Sequence, residues 1–412
     1  MSFDMKNELF TQPIINIGCV GAVSDGKSTL VKETTGIVTP THSKEKERNI
    51  TINQGFGNMK IWKHNDNYVT TDSTVLSMDD YTLVNHISFV DCPGHQELIK
   101  TTLGALELMH GAIIVIAVDQ PLTMKPQLMQ HLAAVKLGSI DKIIICMNKI
   151  DLVTKEVLMR RKEELDILLR KYDIIPYTVI PTCFNKKIGL NHLIVAMMTL
   201  FNPTKLILNN DTGLFSISRT FDINKPGTHW ADVMGGVVGG TLSSGQIKVG
   251  DTLEIRPGII SKTKTGMTWQ PITINISSIK TDTTDLMFAN PGGLVGLGTD
   301  LDPFYCKKNS LVGHVAGKPG MMPNVFTNIS IRIIIIDMFG FTWEPKAKDN
   351  IILKIGTMMC NAKLIELNSK DMYKIELNNP VCIPDKSNLI ICREIDKILR
   401  VVGQAKLNYE DC

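Results

Sequence analysis

The sequence has little of what marks membrane-spanning, secreted or disordered chains. No apolar run in its 412 residues approaches the roughly 18 that a membrane helix needs. The nine cysteines are scattered and form no Cys-x-x-Cys pair, which indicates reduced thiols rather than a disulfide framework or a zinc site. Residues 1–13 carry charged side chains and no apolar core, so we expect no signal peptide. Together these absences predict a cytoplasmic protein.

The sequence also lacks a large excess of positively or negatively charged residues. Lys and Arg number 44 and Asp and Glu number 41, which leaves a net charge of +3. A bulk basic field is therefore not expected to hold a nucleic acid, although a local basic groove stays open. Hydrophobic residues at 43% and charged residues at 21% are typical of a globular protein with real cores. The length fits about two to four domains, and the chain has no repeat or low-complexity tract.

The first half of the chain alternates strand-like and helix-like segments. Short runs rich in Ile and Val occur at residues 14–20, 87–90, 112–118, 142–147 and 177–180. Continuous apolar runs of this length favour strands buried on both faces of a parallel sheet. Between the last two runs, residues 155–171 repeat Leu and Val at helical spacing among many charges. The alternation predicts an α/β domain with helices on both faces of the sheet.

The second half of the chain changes character after residues 202–203. Short β-type runs are separated by turn residues such as Gly235-Gly236, a pattern typical of all-β domains and in particular of barrels. The remaining length suffices for one large barrel or two small ones. A candidate break lies at residues 317–323, where Gly, Pro and Met crowd together.

Residues 21–28 carry the complete phosphate-loop pattern Gly-x-x-x-x-Gly-Lys-Ser. The segment follows an apolar strand and opens a helix that we expect to end near Gly36, which is the context that makes the motif credible. Glycines let backbone N–H groups close around phosphates, and a helix N-terminus favours an anion. Lys27 is expected to reach the β- and γ-phosphates, and Ser28 to bind Mg²⁺. The predicted nucleotide-binding residues of this segment are Gly21, Val23, Ser24, Asp25, Gly26, Lys27, Ser28 and Thr29.

A second motif, Asp91-Cys92-Pro93-Gly94-His95, begins at the end of an apolar strand. The Asp91 carboxylate is expected to hold Mg²⁺, and the N–H of Gly94 can approach the γ-phosphate. The motif is weak by itself, but at this distance from a phosphate loop it is a strong indication of a nucleotide hydrolase.

A third motif, Asn148-Lys149-Ile150-Asp151, follows the strand at residues 142–147. A carboxylate at Asp151 can accept hydrogen bonds from both N1 and N2 of guanine. Adenine does not offer that pair of donors, so Asp151 predicts a preference for GTP over ATP. Asn148 and Lys149 are expected to brace the loop and cover the base.

The order of these motifs, with Thr51 between the first two, resembles a translational GTPase of the elongation factor Tu class. Five stretches resemble more closely the gamma subunit of eukaryotic and archaeal translation initiation factor 2, namely residues 47–52, 219–227, 249–259, 291–299 and 379–382. The resemblance covers essentially the whole chain after a short N-terminal arm. It implies an α/β P-loop GTPase domain at residues 1–204, followed by all-β barrel domains at residues 205–322 and 323–412.

The resemblance also implies roles for matching residues. Thr51 resembles the switch I threonine that senses the γ-phosphate, and His95 resembles the catalytic histidine that orients the attacking water. Thr182-Cys183 lies where the family has a Ser-Ala pair near the guanine. The implied Mg²⁺ ligands are Ser28, Thr51 and Asp91. The candidate tRNA contacts are Phe56, Arg219, Lys225 and Arg256, for which core packing of the aromatic residue and solvated surface charges are the alternatives.

The chain departs from the family pattern in the phosphate loop. The family usually has His at the positions of Ala22 and Asp25, and Ser24 replaces an acidic residue. The carboxylate of Asp25 either repels the nucleotide or pairs with a nearby cation, so the departure bears on the rate of hydrolysis more than on phosphate binding. Many family members carry a zinc knuckle after switch I, but residues 61–85 contain no cysteine, so we predict no structural zinc.

The leading hypothesis is a GTP-dependent carrier of methionyl initiator tRNA to the small ribosomal subunit, with GTP hydrolysis as the release switch. The resemblance implies alpha and beta partner subunits, exchange and GTPase-activating factors, and GTP, GDP and Mg²⁺ as cofactors. Two alternatives stay open. One is an elongation-type carrier of a special aminoacyl-tRNA such as the selenocysteine form. The other is a weakly hydrolysing homologue that acts as an interaction scaffold, which the phosphate-loop departures suggest.

Overall fold

The computed structural model describes residues 11–39, 55–65, 67–70, 81–95, 98–201, 213–264, 266–336, 343–368, 372–384 and 387–408. The chain divides into two compact units, Met1–Leu206 and Ile207–Cys412. Within the described ranges, no helix is both long and apolar enough to cross a membrane.

The first unit alternates strands and helices, as the spacing of apolar runs predicts. Its described strands are β1 (Ile15–Val20), β2 (Gly55–His64), β3 (Asn67–Thr70), β4 (Thr82–Asp91), β5 (Gly111–Ala117), β6 (Ile143–Asn148) and β7 (Thr178–Pro181). Its described helices are α1 (Lys27–Thr35), α2 (Ile99–Ala105), α3 (Pro126–Leu137), α4 (Lys155–Lys171) and α5 (Leu190–Leu200). Short 3₁₀ turns lie at Leu106–Leu108, Leu122–Met124, Ile150–Leu152 and Phe184–Lys186. Helix α4 has the bounds that the sequence predicts, and α1 ends at Thr35, with Gly36 as its left-handed cap.

The strands of the first unit form one sheet in the order β3-β2-β4-β1-β5-β6-β7. The neighbours from β4 to β7 pair in parallel, which confirms the prediction for the five apolar runs. Strands β2 and β3 pair antiparallel and extend one edge. The sequence does not predict this edge, because β2 alternates buried and half-buried residues instead of forming a continuous apolar run.

The core of the first unit lies around its central strands. Every residue of β1, β5 and β6 is buried, as expected for strands that pack helices on both faces. Helix α1 contributes Leu30 and Val31 to the same core, and α5 contributes Leu193. The carboxyl ends of central strands therefore carry loops on a rigid support, which is where open α/β sheets bind ligands.

The second unit is all β apart from short 3₁₀ turns among the residues described. Its first nine strands are β8 (Leu214–Phe221), β9 (Val237–Leu242), β10 (Ile247–Lys248), β11 (Thr252–Thr263), β12 (Gly266–Thr281), β13 (Thr284–Leu286), β14 (Phe288–Ala289), β15 (Val295–Thr299) and β16 (Val315–Gly317). The remaining strands are β17 (Val325–Ile335), β18 (Asn350–Ile355), β19 (Met358–Asn368), β20 (Met372–Cys382), β21 (Leu389–Ile395) and β22 (Ile398–Leu407).

These strands form two barrels in succession. In the first, the order β11-β16-β8-β9-β15-β12 closes through pairing of β11 with β12, and β13 pairs antiparallel with the end of β12. In the second, β17-β20-β19-β18-β21-β22 form a closed barrel. Each barrel has its own core, built around Phe215 and Ile255 in the first and around Leu353 and Ile391 in the second. Of the two arrangements that the sequence leaves open, two small barrels is the one observed.

Candidate functional site

The phosphate loop joins β1 to α1 at the middle of the sheet. Gly21 and Gly26 have φ angles of 152° and 104°, which residues with a Cβ rarely adopt. A Cβ on Gly26 would lie 2.2 Å from Nδ2 of Asn148, so only glycine lets the loop pass this close to the base-binding motif. Thr29 lies in the first turn of α1 and Val23 is exposed. The N-terminus of a helix such as α1 favours an anion.

Lys27 is buried at the base of this loop. Its Nζ donates a hydrogen bond to the carbonyl of Ala22 at 2.7 Å. Burial lowers the pKa of Lys27, and the nearby carboxylates of Asp91 and Asp25 oppose that shift. The arrangement holds a cation beside the loop, as binding of β- and γ-phosphates requires.

Two of the three side chains predicted to hold Mg²⁺, Ser28 and Asp91, lie together. Ser28 Oγ donates to Oδ2 of the buried Asp91 at 2.7 Å, and Thr39 Oγ1 donates to the same oxygen at 2.5 Å. A carboxylate flanked by hydroxyls supplies the hard oxygen donors that Mg²⁺ prefers, so these residues fit the ion. The third predicted ligand, Thr51, lies outside the described residues.

Gly94 packs directly against the phosphate loop. A Cβ at this position would lie 2.5 Å from Lys27 Nζ and 2.7 Å from the main chain of both Ala22 and Val23. The contact places the second motif beside the first. His95 follows on the exposed side, with its carbonyl accepting from Leu98 N at 2.9 Å.

His131 of α3 is buried near Gly94. Burial and the charge of Lys27 lower the pKa of this histidine to about 3, although a hydrogen bond between its ring and the Gly94 main chain works against the shift. The ring is therefore neutral at neutral pH and adds no positive charge to the site.

The base-reading loop is braced on two sides. Asn148 Nδ2 donates to the carbonyl of Asp25 at 2.8 Å, and its Oδ1 accepts from Phe184 N at 3.2 Å. Lys149 has a φ of 63° and its Nζ lies 3.0 Å from Oδ2 of Asp119. Asn148 thus joins the base-reading loop to the phosphate loop.

The carboxylate of Asp151 has two partners that the motif alone does not reveal. Lys186 Nζ lies 3.0 Å from its Oδ2. A hydrogen bond from the Cys183 thiol is the largest cause of a lowered pKa at Asp151, followed by one from Lys186. Cys183 and the neighbouring Thr182 are buried, and Thr182 N donates to Met147 O at 2.8 Å. The Thr182-Cys183 pair therefore lies beside the base-reading loop.

Asp25 does not present its carboxylate as an unpaired charge. Its side chain is 2% exposed and forms an ion pair with Lys125 at 2.7 Å. Of the two outcomes that the sequence leaves open for this residue, pairing with a cation is the one observed.

The tRNA candidates are spread over both units. Phe56 is half-buried in β2 of the first unit. In the second unit, Arg219 is half-buried in β8 and Lys225 is exposed in the loop after it. Arg256 pairs with Glu254 and donates to the carbonyls of Met322 and Pro323 at 3.2 and 3.0 Å. Its guanidinium thus holds the segment that leads from the first barrel to the second.

Sequence reasoning missed four residues that support the site: Asp119, Lys125, His131 and Lys186. Lys125 immediately precedes α3, and Asp119 lies two residues beyond the carboxyl end of β5, a fully buried strand. Charged residues at that position are a detectable signal, because ligand sites of parallel sheets form at the carboxyl ends of their strands.

The comparisons with known families match both ends of the chain. The family described as elongation factor Tu GTP binding domain matches residues 12–203. The family described as initiation factor eIF2 gamma, C terminal, matches residues 339–407.

Curated relatives match the chain along nearly its whole length. The eukaryotic translation initiation factor 2 subunit gamma of Encephalitozoon cuniculi is 33% identical, over 97% of this chain and 94% of that protein. The translation initiation factor 2 subunit gamma of Methanocaldococcus jannaschii is 36% identical, over 97% and 98%. The eukaryotic translation initiation factor 2 subunit 3 of Drosophila melanogaster is 33% identical, over 96% and 89%.

Solved structures share the fold at lower identity. A bacterial selenocysteine-specific elongation factor EF-Sec matches with a TM-score of 0.73 and 19% identity, over 96% of this chain. The chain spans only 58% of the length of that structure. Elongation factor SelB from Methanococcus maripaludis, in complex with a GTP analogue, matches with a TM-score of 0.71 and 20% identity, over 96% of this chain and 79% of that one.

These structural likenesses show the arrangement of an α/β GTPase domain followed by two barrels, and the curated relatives decide the family. The chain belongs to the gamma subunits of translation initiation factor 2 and is a translation-initiation GTPase.

Proposed function

We propose that this GTPase carries methionyl initiator tRNA to the small ribosomal subunit when GTP is bound and releases it after hydrolysis. One observation supports the proposal most directly. The first unit brings together the phosphate loop, the Ser28–Asp91 pair and the Asn148–Asp151 loop. The gamma-subunit relatives match this chain over nearly its whole length.

The nucleotide roles follow from the chemistry of the grouped residues. Residues 21–29 take the phosphates through main-chain N–H groups and Lys27. Ser28 and Asp91 take Mg²⁺, with Thr51 as the third ligand. Asp151 recognises the guanine base. The base-reading loop is held in place by its own Asn148 and Lys149 and by the neighbouring Thr182 and Cys183. Mg²⁺ would neutralise charge that develops on the phosphates during transfer.

The switch needs groups that sense the γ-phosphate. Gly94 lies against the phosphate loop, so a γ-phosphate that engages its N–H would fix the position of the second motif. His95, next in the chain and exposed, would orient the attacking water. Phosphoryl transfer is accelerated mainly by such positioning and by electrostatic stabilisation.

The partners are those of a gamma subunit. They are the alpha and beta subunits, initiator tRNA, the small ribosomal subunit, and exchange and GTPase-activating factors, all in the cytoplasm. Among the basic candidates for tRNA contact, Lys225 is the exposed one. Arg256 is engaged with main-chain carbonyls, so Lys225 is the first to test.

The test is equilibrium binding of methionyl initiator tRNA to the purified chain, with a non-hydrolysable GTP analogue and with GDP. Tighter binding with the analogue is expected, and methionyl elongator tRNA is the matched control. Equal binding in both nucleotide states, repeated after addition of the alpha subunit, would contradict the proposal. A preference for selenocysteinyl-tRNA over methionyl initiator tRNA would instead favour the elongation-type alternative.

A further inference from the structure

Asp25 is the single acidic residue of the phosphate loop, and its carboxylate accepts three hydrogen bonds. Its Oδ2 accepts from Ala22 N at 2.9 Å, and its Oδ1 accepts from Ala117 N at 3.1 Å and from Lys125 Nζ at 2.7 Å. Lys125 Nζ also donates to the carbonyl of Ala117 at 2.8 Å. The side chains of the pair are 2% and 8% exposed, so solvent does not replace either partner.

The pair fixes the shape of the loop. The N–H of Ala22 is bound by the Asp25 carboxylate, and the carbonyl of Ala22 is bound by Lys27. The carbonyl of Asp25 is bound by Asn148. The loop segment between residues 22 and 25 is therefore hydrogen-bonded at both ends. Lys125 is the side chain that pairs with its carboxylate.

Lys125 also belongs to a segment that contacts the rest of the nucleotide site. The segment follows β5, and its Asp119 pairs with Lys149 of the base-reading loop at 3.0 Å. Its Leu122 N donates to Oε2 of Glu164 in α4 at 3.0 Å. Lys125 therefore lies in a segment that these contacts hold in place, and not in an unsupported surface loop.

Removing one partner would leave a buried charge without its counter-ion. Loss of Lys125 would leave an anion within the phosphate loop itself, where it would oppose binding of a negatively charged ligand. Removal of both charges leaves no such anion, so the two substitutions are expected to be strongly non-additive.

We propose that Lys125 is a positioning residue for the nucleotide phosphates, which acts by pairing with Asp25 and so holding the phosphate loop in its binding shape. The proposal rests on the assignment of residues 21–28 to phosphate binding. It concerns a residue 100 positions away from the loop in sequence, outside every motif of the site.

The experiment measures the dissociation rate of a fluorescent GDP from the full chain with Mg²⁺ present. The variants are Lys125→Met, Asp25→Asn and the double substitution, and Lys125→Gln replaces the first if it does not fold. Lys125→Met is expected to raise the dissociation rate about tenfold or more, and the double variant to return to within about threefold of the wild type. The control removes the Lys162–Asp166 pair of α4, whose side chains are 36% and 34% exposed, in the same way and is expected to leave the rate unchanged.

The dissociation rate is measured on the bound population, so it is insensitive to a fraction of unfolded protein. A purely structural pair would shift the thermal unfolding midpoint and leave this rate unchanged, which would overturn the proposal. A double variant as fast as Lys125→Met would also overturn it. Failure of the wild type to bind GDP at all would refute the phosphate-site assignment itself, which is a distinguishable outcome.

Discussion

Replacement of Asp151 by Asn is the sharpest test of how this site selects its base. The carboxylate can accept from both N1–H and N2–H of guanine, whereas an amide can accept only one of these and turns a donor toward the other. Each charge-assisted hydrogen bond is worth roughly a factor of ten or more in affinity. The Asp151 side chain is 22% exposed, so solvent competes and the lower end of that range applies. We expect Asp151→Asn to weaken GTP binding about a hundredfold.

The same substitution is expected to improve binding of xanthosine triphosphate, because the amide can donate to the O2 of xanthine and accept from its N1–H. The assay is competition of each triphosphate against fluorescent GDP, and the measured quantity is the ratio of the two dissociation constants. An unchanged ratio would refute the assignment of Asp151 to base reading.

The control for this experiment is Lys186→Met. Lys186 pairs with Asp151 at 3.0 Å, but its own side chain is 60% exposed, and exposed ion pairs contribute little. We expect a change in GTP affinity below about threefold and no change in the preference for guanine. A loss of GTP affinity as large as that of Asp151→Asn would mean that the substitution had moved the base-reading loop. The effect of Asp151→Asn would then reflect a change in loop structure instead of the loss of base recognition.

Three further predictions concern the surroundings of the loop. Gly94→Ala places a Cβ 2.7 Å from the Ala22 and Val23 main chain, so it should reduce the preference for a GTP analogue over GDP about tenfold in equilibrium titrations; an unchanged preference would contradict the role of this contact. Cys183→Ala removes the thiol hydrogen bond to Asp151 while Lys186 remains, so GTP affinity should fall by less than about fivefold in the same competition assay; a hundredfold loss would make the thiol indispensable. Burial lowers the pKa of His131 to about 3, below its ordinary value of about 6.5, so the unfolded state takes up the proton first as the pH falls. The wild type should therefore lose about 1.4 kcal/mol more than His131→Gln in urea unfolding between pH 7.5 and pH 5.5, and equal losses would contradict a buried neutral ring.

Much of the fold could be predicted from the sequence because its signals are local. Five continuous apolar runs predict five parallel strands, and the spacing of Leu165 and Leu169 with their neighbours predicts helix α4. The phosphate-loop and base-reading motifs could be located in the same way, since each lies at the end of a buried strand. The antiparallel edge of β2 and β3 has no such signal, because β2 alternates buried and half-buried residues and no residue of β3 is buried.

Pairwise contacts between distant segments could not be predicted, and they decide how the departures in the phosphate loop are interpreted. Asp25 is separated from Lys125 by 100 residues, and Thr39 is separated from Asp91 by 52. No periodicity or spacing rule brings such pairs together, because their proximity depends on strand order in the sheet. The Thr39 contact with the predicted metal carboxylate is likewise visible only in the folded chain.

The Asp25–Lys125 pair removes one argument for a scaffold that hydrolyses little GTP, namely an unpaired anion beside the phosphates. That case rested on three departures at Ala22, Ser24 and Asp25. The carboxylate of Asp25 is neutralised by its partner and bound to two main-chain N–H groups, so it does not present an unpaired anion to a phosphate. Ser24 has a φ of 61°, a left-handed conformation that costs about 1 kcal/mol for a residue other than Gly, Asn or Asp. What remains is a modest backbone strain and one small side chain, neither of which removes a group that the phosphate loop needs for binding.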